Sequence, residues 1–148
     1  MFRHTERRSL PYTPHQIFDL VADVEKYPKF IDWFVSARIR RRDGNVQYVD
    51  QVVRYSGLRV AFATRAVLEP PRHITVTSTD FPFRSFNQHW WFRPDGGSGT
   101  LVEYDVTFEL RFGFLHGLMD MLADQRQIAE RTIDMFTHRA QQLYGQRA

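Results

Sequence analysis

The sequence predicts an α+β domain in which a long C-terminal helix lies across a curved antiparallel sheet of about seven strands. Three observations carry this. Between Trp33 and Phe112, apolar and polar residues alternate in runs broken by short turn signals, which describes a meander with one wet face. The chain then changes to apolar residues at helical spacing, from about residue 115 to 144. Finally, 13 Phe, 6 Tyr and 3 Trp stand among 148 residues. Rings carry the largest apolar area per side chain, so this content suits a wide hydrophobic interior.

The elements follow in order. "FRHTERRSL" alternates and reads as a first strand. In "YTPHQIFDLVADV", Thr13 is placed to cap a helix, with Pro14 at its first position and Gln16 three after the cap. Ile17, Phe18, Val21 and Ala22 share one face of that helix. Pro28 disfavours helix at Tyr27, so "DVEKYPKFIDWF" is expected to bend and then form a short second helical turn. "WFVSARIRRR" ends at Asp43-Gly44, a hairpin signal, and "VQYVDQVVRY" ends at Ser56-Gly57. "LRVAFATRAVL", "HITVTST", "RSFNQHWWF" and "TLVEYDVTFELRF" complete the sheet. In the last segment Leu118, Leu122, Ala129, Ile133, Phe136, Ala140 and Leu143 form an apolar stripe, and Gly145 supplies the stop. At 1.5 Å per residue this helix is about 45 Å long, enough to cross a sheet.

Strand parity separates two faces. Val102, Tyr104, Val106, Phe108, Leu110 and Phe112 share one side of the last strand; Glu103, Asp105, Thr107, Glu109 and Arg111 share the other. Matching apolar fronts are Val53 and Tyr55; Val60, Phe62, Thr64, Ala66 and Leu68; and Phe86, Gln88, Trp90 and Phe92. These fronts can line a concavity under the helix or fill a core there; the residues admit both.

Much chemistry is excluded. With no cysteine there is no disulfide or thiolate site. The six histidines (4, 15, 73, 89, 116 and 138) show no metal-binding spacing. "GGSG" lacks the lysine and the strand-to-helix context of a phosphate loop. Metal, nucleotide and DNA are therefore not expected as ligands, and no catalytic residue is assigned. Glu103, Asp105 and Glu109 belong to the wet face, His89 points to the back if Trp90 points to the front, and Arg65 is expected in a surface ion pair. The net charge is +3, and all but Lys26 and Lys29 of the 20 basic residues are arginine. The densest cluster, Arg38 to Arg42, suits phosphates or an anionic lipid surface, or faces water along a strand. "MFRHTERRSLPY" lacks an apolar signal core, and no apolar run reaches the roughly 18 residues of a spanning helix. The expected location is cytoplasmic, or peripheral to the inner membrane.

The element order, together with "DVEKYPKFIDWF", "GLRVAFATR", "PFRSFNQHWWF" and "RTIDMFTHRAQQLYG", resembles the coenzyme Q-binding START-domain family across essentially the whole chain. This group includes ribosome-association toxins and the mitochondrial coenzyme Q chaperone, within the polyketide-cyclase and lipid-transfer superfamily. One departure is Gln88, where a small residue is expected before the His-Trp pair. The resemblance implies a single domain of helix-grip, START-like fold with a ligand cavity between sheet and C-terminal helix. It implies an isoprenoid quinone or similar lipid as partner, carried or presented in support of respiration at the membrane surface. Alternatives from the same resemblance are a toxin that binds the large ribosomal subunit and blocks subunit association, and a polyketide cyclase or aromatase. The residues expected around the cavity are Tyr27, Phe30 and Trp33 at its lip, as an aromatic gate together with Phe34. The sheet contributes Val53, Tyr55, Phe62, Thr64, Gln88, Trp90, Tyr104, Val106 and Phe108, and the helix contributes Leu118, Leu122 and Phe136.

Overall fold

The computed structural model describes residues 2–55, 57–111 and 118–145, the side chains of 55 and 118–126 excepted. Its elements are β1 (Phe2–Leu10), α1 (Pro14–Ala22), a 3-10 helix (Val24–Lys29), β2 (Phe34–Asp43), β3 (Val46–Tyr55), β4 (Leu58–Glu69), β5 (His73–Ser78), β6 (Phe83–Pro94), β7 (Thr100–Leu110) and α2 (Leu118–Tyr144). The strands form one seven-stranded sheet in the order β1-β7-β6-β5-β4-β3-β2, every pair antiparallel. Apart from the closing β1–β7 pair, every neighbour in the sheet is also a neighbour in sequence, as a meander requires.

Local chemistry explains the element ends. The Gln16 amide N–H donates to Thr13 Oγ1 at 3.2 Å and the Thr13 N–H donates to Gln16 Oε1 at 2.9 Å, a complete capping box. Replacing Thr13 with alanine should therefore cost about 1 kcal/mol. An unchanged urea midpoint would show that α1 is held by packing alone. After Tyr27 the expectation is corrected: the helical turn does not follow Pro28 but runs through it. The 3-10 ladder skips the proline, with Lys26 N–H on Asp23 C=O and Phe30 N–H on Tyr27 C=O, so the missing N–H is not required. The β2–β3 loop is also displaced by one residue. Asp43 pairs with Val46, leaving Gly44-Asn45 as the loop, and Gly44 takes the left-handed φ of +59° that favours glycine.

The depth of the fold follows from widths. Seven strands at about 4.8 Å spacing span about 29 Å, whereas one helix with its side chains covers only about 10 Å. The C-terminal half of α2 packs on β1 and α1. Its Ala129, Ile133, Phe136 and Ala140 are buried against a core that includes Phe2, Leu10, Ile17, Phe18, Phe92, Val102 and Phe108. Leu143, expected in the same stripe, is instead 49% exposed. Tyr144 turns inward in its place: its ring lies 6.0 Å from Tyr12 and its hydroxyl donates to the Gln16 carbonyl. The filled core thus lies toward the β1–β7–β6 side, and among the described residues no helix packs closely on the β3–β5 front.

Candidate functional site

The uncovered front is a cavity of about 460 Å³, bounded by the sheet, the 3-10 segment and α2. β4 contributes Val60, Phe62, Thr64, Ala66 and Leu68, and β6 contributes Phe83, Phe86, Gln88 and Trp90. Tyr104 and Val106 come from β7, Ile74 and Val76 from β5, and Ile128, Thr132 and Phe136 from α2. The strand fronts predicted by parity therefore converge, and they enclose space instead of interdigitating. Leu58 lines the cavity yet is 64% exposed, so the opening lies at the β3–β4 tip, with Trp33 and Arg54 beside it.

Most of the sequence-predicted residues meet here. Tyr27, Trp33, Val53, Phe62, Thr64, Gln88, Trp90, Tyr104, Val106 and Phe136 all line the cavity. Two do not. Phe30 lies outside it, packed on Tyr27 and Phe136 with the Arg139 guanidinium 5.5 Å from its ring centre. Phe30 stands just past the 3-10 turn, where the backbone has left the helical conformation (φ −139°), and its ring lies in the seam with α2. Phe108 is core: its ring sits 5.0 Å from Phe2 and 5.8 Å from Phe83, because the register sets the Phe2 ring directly opposite it, whereas Glu6 stands opposite Tyr104. The side chains of Tyr55, Leu118 and Leu122 lie outside the described residues. Sequence reasoning missed Gln47, Val49 and Gln51, the β3 wall. Stepping back by twos from Val53 reaches all three; the two glutamines concealed an apolar face.

Polar atoms in the cavity are few and neutral except at its opening. Trp90 Nε1 donates to Gln88 Oε1 at 3.2 Å, and Gln88 Nε2 donates to the Tyr104 hydroxyl at 2.9 Å. Burial pushes the Tyr104 phenol up to about 12, even though the Gln88 hydrogen bond works against that rise. Burial likewise pushes Tyr27 far up, with the neighbouring Tyr104 and Asp23 adding to it, and its hydroxyl donates to the Val21 carbonyl. The Thr132 hydroxyl donates to Ile128 C=O at 2.6 Å. Among the described lining residues there is no Asp, Glu or His, and the single cation is Arg54 at the opening.

The titratable groups on the back of the sheet are engaged with one another. Glu103 lies 2.9 Å from Arg93 and 3.3 Å from Arg7, which hold its carboxyl below the usual carboxylate range. Asp105 faces Arg3 at 3.6 Å, and Glu109 faces Arg84 at 3.6 Å. His89 is on the back as parity required, its Nδ1 3.0 Å from His73 Nε2 in a stack with Trp91. Arg65 is on the back too, but its partner is not a carboxylate: it and Arg41 hydrogen-bond the Tyr48 hydroxyl and lower its pKa.

Known proteins share this architecture. The family model described as "Polyketide cyclase / dehydrase and lipid transport" matches residues 10–137. The chain is 30% identical over 146 residues to the "Ribosome association toxin RatA" of Pseudomonas aeruginosa, spanning 98% of this chain and 100% of that one. It is 25% identical over 138 residues to the "Coenzyme Q-binding protein coq10, mitochondrial" of Schizosaccharomyces pombe, covering 90% and 83%. The solution structure of the 18 kDa protein CC1736 from Caulobacter crescentus superposes with a TM-score of 0.75 at 38% identity, over 99% of this chain and all of that one. With a family match over most of its length and relatives aligned nearly end to end, the chain belongs to the polyketide cyclase/dehydrase and lipid transport family.

Proposed function

We propose that this chain binds a hydrophobic ligand of the isoprenoid quinone class in the cavity under α2 and carries or presents it without chemical change. The observation that supports this most directly is the lining itself. It is a mostly apolar chamber of ligand size, with a few placed neutral polar atoms and no Asp, Glu or His among its described residues. The likeness to a protein named for coenzyme Q binding supports the quinone class. On this reading the cavity-lining residues from Tyr27 to Phe136 are the ligand contacts. No helix among the described residues is long and apolar enough to cross a membrane, so the chain would meet a respiratory membrane only at its surface. The test is mass spectrometry of lipid extracted from protein purified out of its native host. Stoichiometric quinone supports the reading, and an empty protein or one loaded with phospholipid counts against it.

A second reading has its own support. Arg38, Arg40, Arg41 and Arg42 are all exposed on β2, an edge strand, and the relative at 30% identity is named for ribosome association. Such a surface fits the phosphates of a large ribosomal subunit. Changing Arg40, Arg41 and Arg42 together to serine should weaken subunit binding and flatten its salt dependence. Each lost phosphate contact should remove about 0.7–0.9 from the log–log slope. An unchanged slope would leave the cluster as a solvated edge.

A further inference from the structure

We propose that the Tyr104 hydroxyl is the headgroup anchor of the cavity, donating its proton to an uncharged carbonyl oxygen, so that the ligand enters ring first with its tail toward Leu58. This deepens the carrier reading and rests on it. The starting point is the indole of Trp90, whose N–H can only donate. Its contact with Gln88 at 3.2 Å fixes which end of the amide faces it: the oxygen. The amide nitrogen must then face Tyr104, at 2.9 Å, so the phenol oxygen is an acceptor there. The Tyr104 proton has no acceptor among the described residues. Tyr104 is only 6% exposed and Trp90 3%, so this donor is locked in place and buried. The Tyr27 and Thr132 hydroxyls, also in the cavity, already donate to backbone carbonyls.

A buried donor without an acceptor is costly, and a ligand oxygen at that point removes the cost. The charge pattern selects the kind of oxygen. Arg54, the only cation among the described lining residues, is exposed beside Trp33, to whose carbonyl its N–H donates at 2.8 Å. A carboxylate or phosphate at Tyr104 would be buried without a counter-charge, which is strongly unfavourable. A neutral quinone or ketone carbonyl meets no such penalty. The cavity of about 460 Å³ has the size of a drug-sized ligand site, so a ring fits inside while a long polyprenyl tail must leave through the opening.

The experiment compares three probes of equal tail length: a decyl-substituted benzoquinone, decylbenzene and decanoate. Wild-type protein should bind the quinone more tightly than either of the others. Tyr104→Phe should weaken the quinone about tenfold and change decylbenzene by less than about twofold. The infrared carbonyl band of bound quinone should lie below its position in hydrocarbon and return toward it in the variant. Should Tyr104→Phe not fold, Gln88→Met, which releases the hydroxyl from its lock, must still move that band. Equal weakening of quinone and decylbenzene, or an unmoved band in the folded variant, overturns the anchor and leaves the carrier reading standing; preference for decanoate overturns the anchor and counts against the quinone class as well. Failure of both quinone and decylbenzene to bind wild-type protein overturns both.

Discussion

Replacing Phe136 with alanine should cost about 3–5 kcal/mol of stability, the largest single-site effect expected here. Phe136 is 4% exposed and joins α2 to everything beneath it. Its ring lies 5.2 Å from Tyr27, 5.3 Å from Phe30 and 5.3 Å from Trp90, all in edge-to-face geometry. Truncation removes three aromatic contacts and leaves a void that α2, tied to β1 and α1 farther along, cannot close by shifting. One side of the ring already borders the cavity, which places the expected loss near 3 kcal/mol, the lower end of that range. A domain of this kind is stable by about 5–15 kcal/mol, so the variant should show a much lower urea midpoint and remain folded only marginally. A loss below about 1 kcal/mol would mean that α2 is held chiefly by the Ala129, Ile133 and Ala140 contacts.

Trp33→Ala should divide its effect in the opposite way. Trp33 is half-buried, lines the cavity near its opening and carries the Arg131 guanidinium 5.3 Å from its ring centre. The tie between this segment and β3 is a backbone hydrogen bond, from Arg54 N–H to the Trp33 carbonyl at 2.8 Å, and it survives truncation. A ring in that position gives up ligand contact and a partly exposed cation–π pair, but little packing. The expected stability loss is about 1 kcal/mol, against a quinone-analogue affinity at least about tenfold weaker. Both quantities come from one variant, as the denaturant midpoint without ligand and the binding constant with it. A stability loss of about 3 kcal/mol or more, with affinity per folded molecule intact, would make Trp33 a plug of the core instead of a gate.

The sequence by itself determined whatever depends on near neighbours along the chain. The Thr13–Gln16 capping box, the seven strands and the apolar side of each are local consequences of spacing, because a strand's side chains alternate whatever it pairs with. The cavity wall on β4, β6 and β7 was legible for the same reason, from Phe62 through Gln88 and Trp90 to Tyr104 and Val106. What parity cannot express is distance across the sheet and over it. Phe108 and Tyr104 share one face of β7, yet Phe108 joins the core beside β1 while Tyr104 faces open space. Phe30 and Tyr27 are three residues apart and their rings touch, yet Tyr27 lines the cavity while Phe30, past the end of the 3-10 turn, lies in the seam beside Phe136. Whether the aromatic front fills or encloses was decided by width, since one helix cannot cover seven strands and α2 lies toward β1. The register that sets Trp90 opposite Tyr104, with Gln88 two residues away on the same face, is likewise a pairing between distant segments. Tertiary structure alone turned those three side chains into a directed hydrogen-bond chain, because its direction depends on which donor and which acceptor are brought within reach.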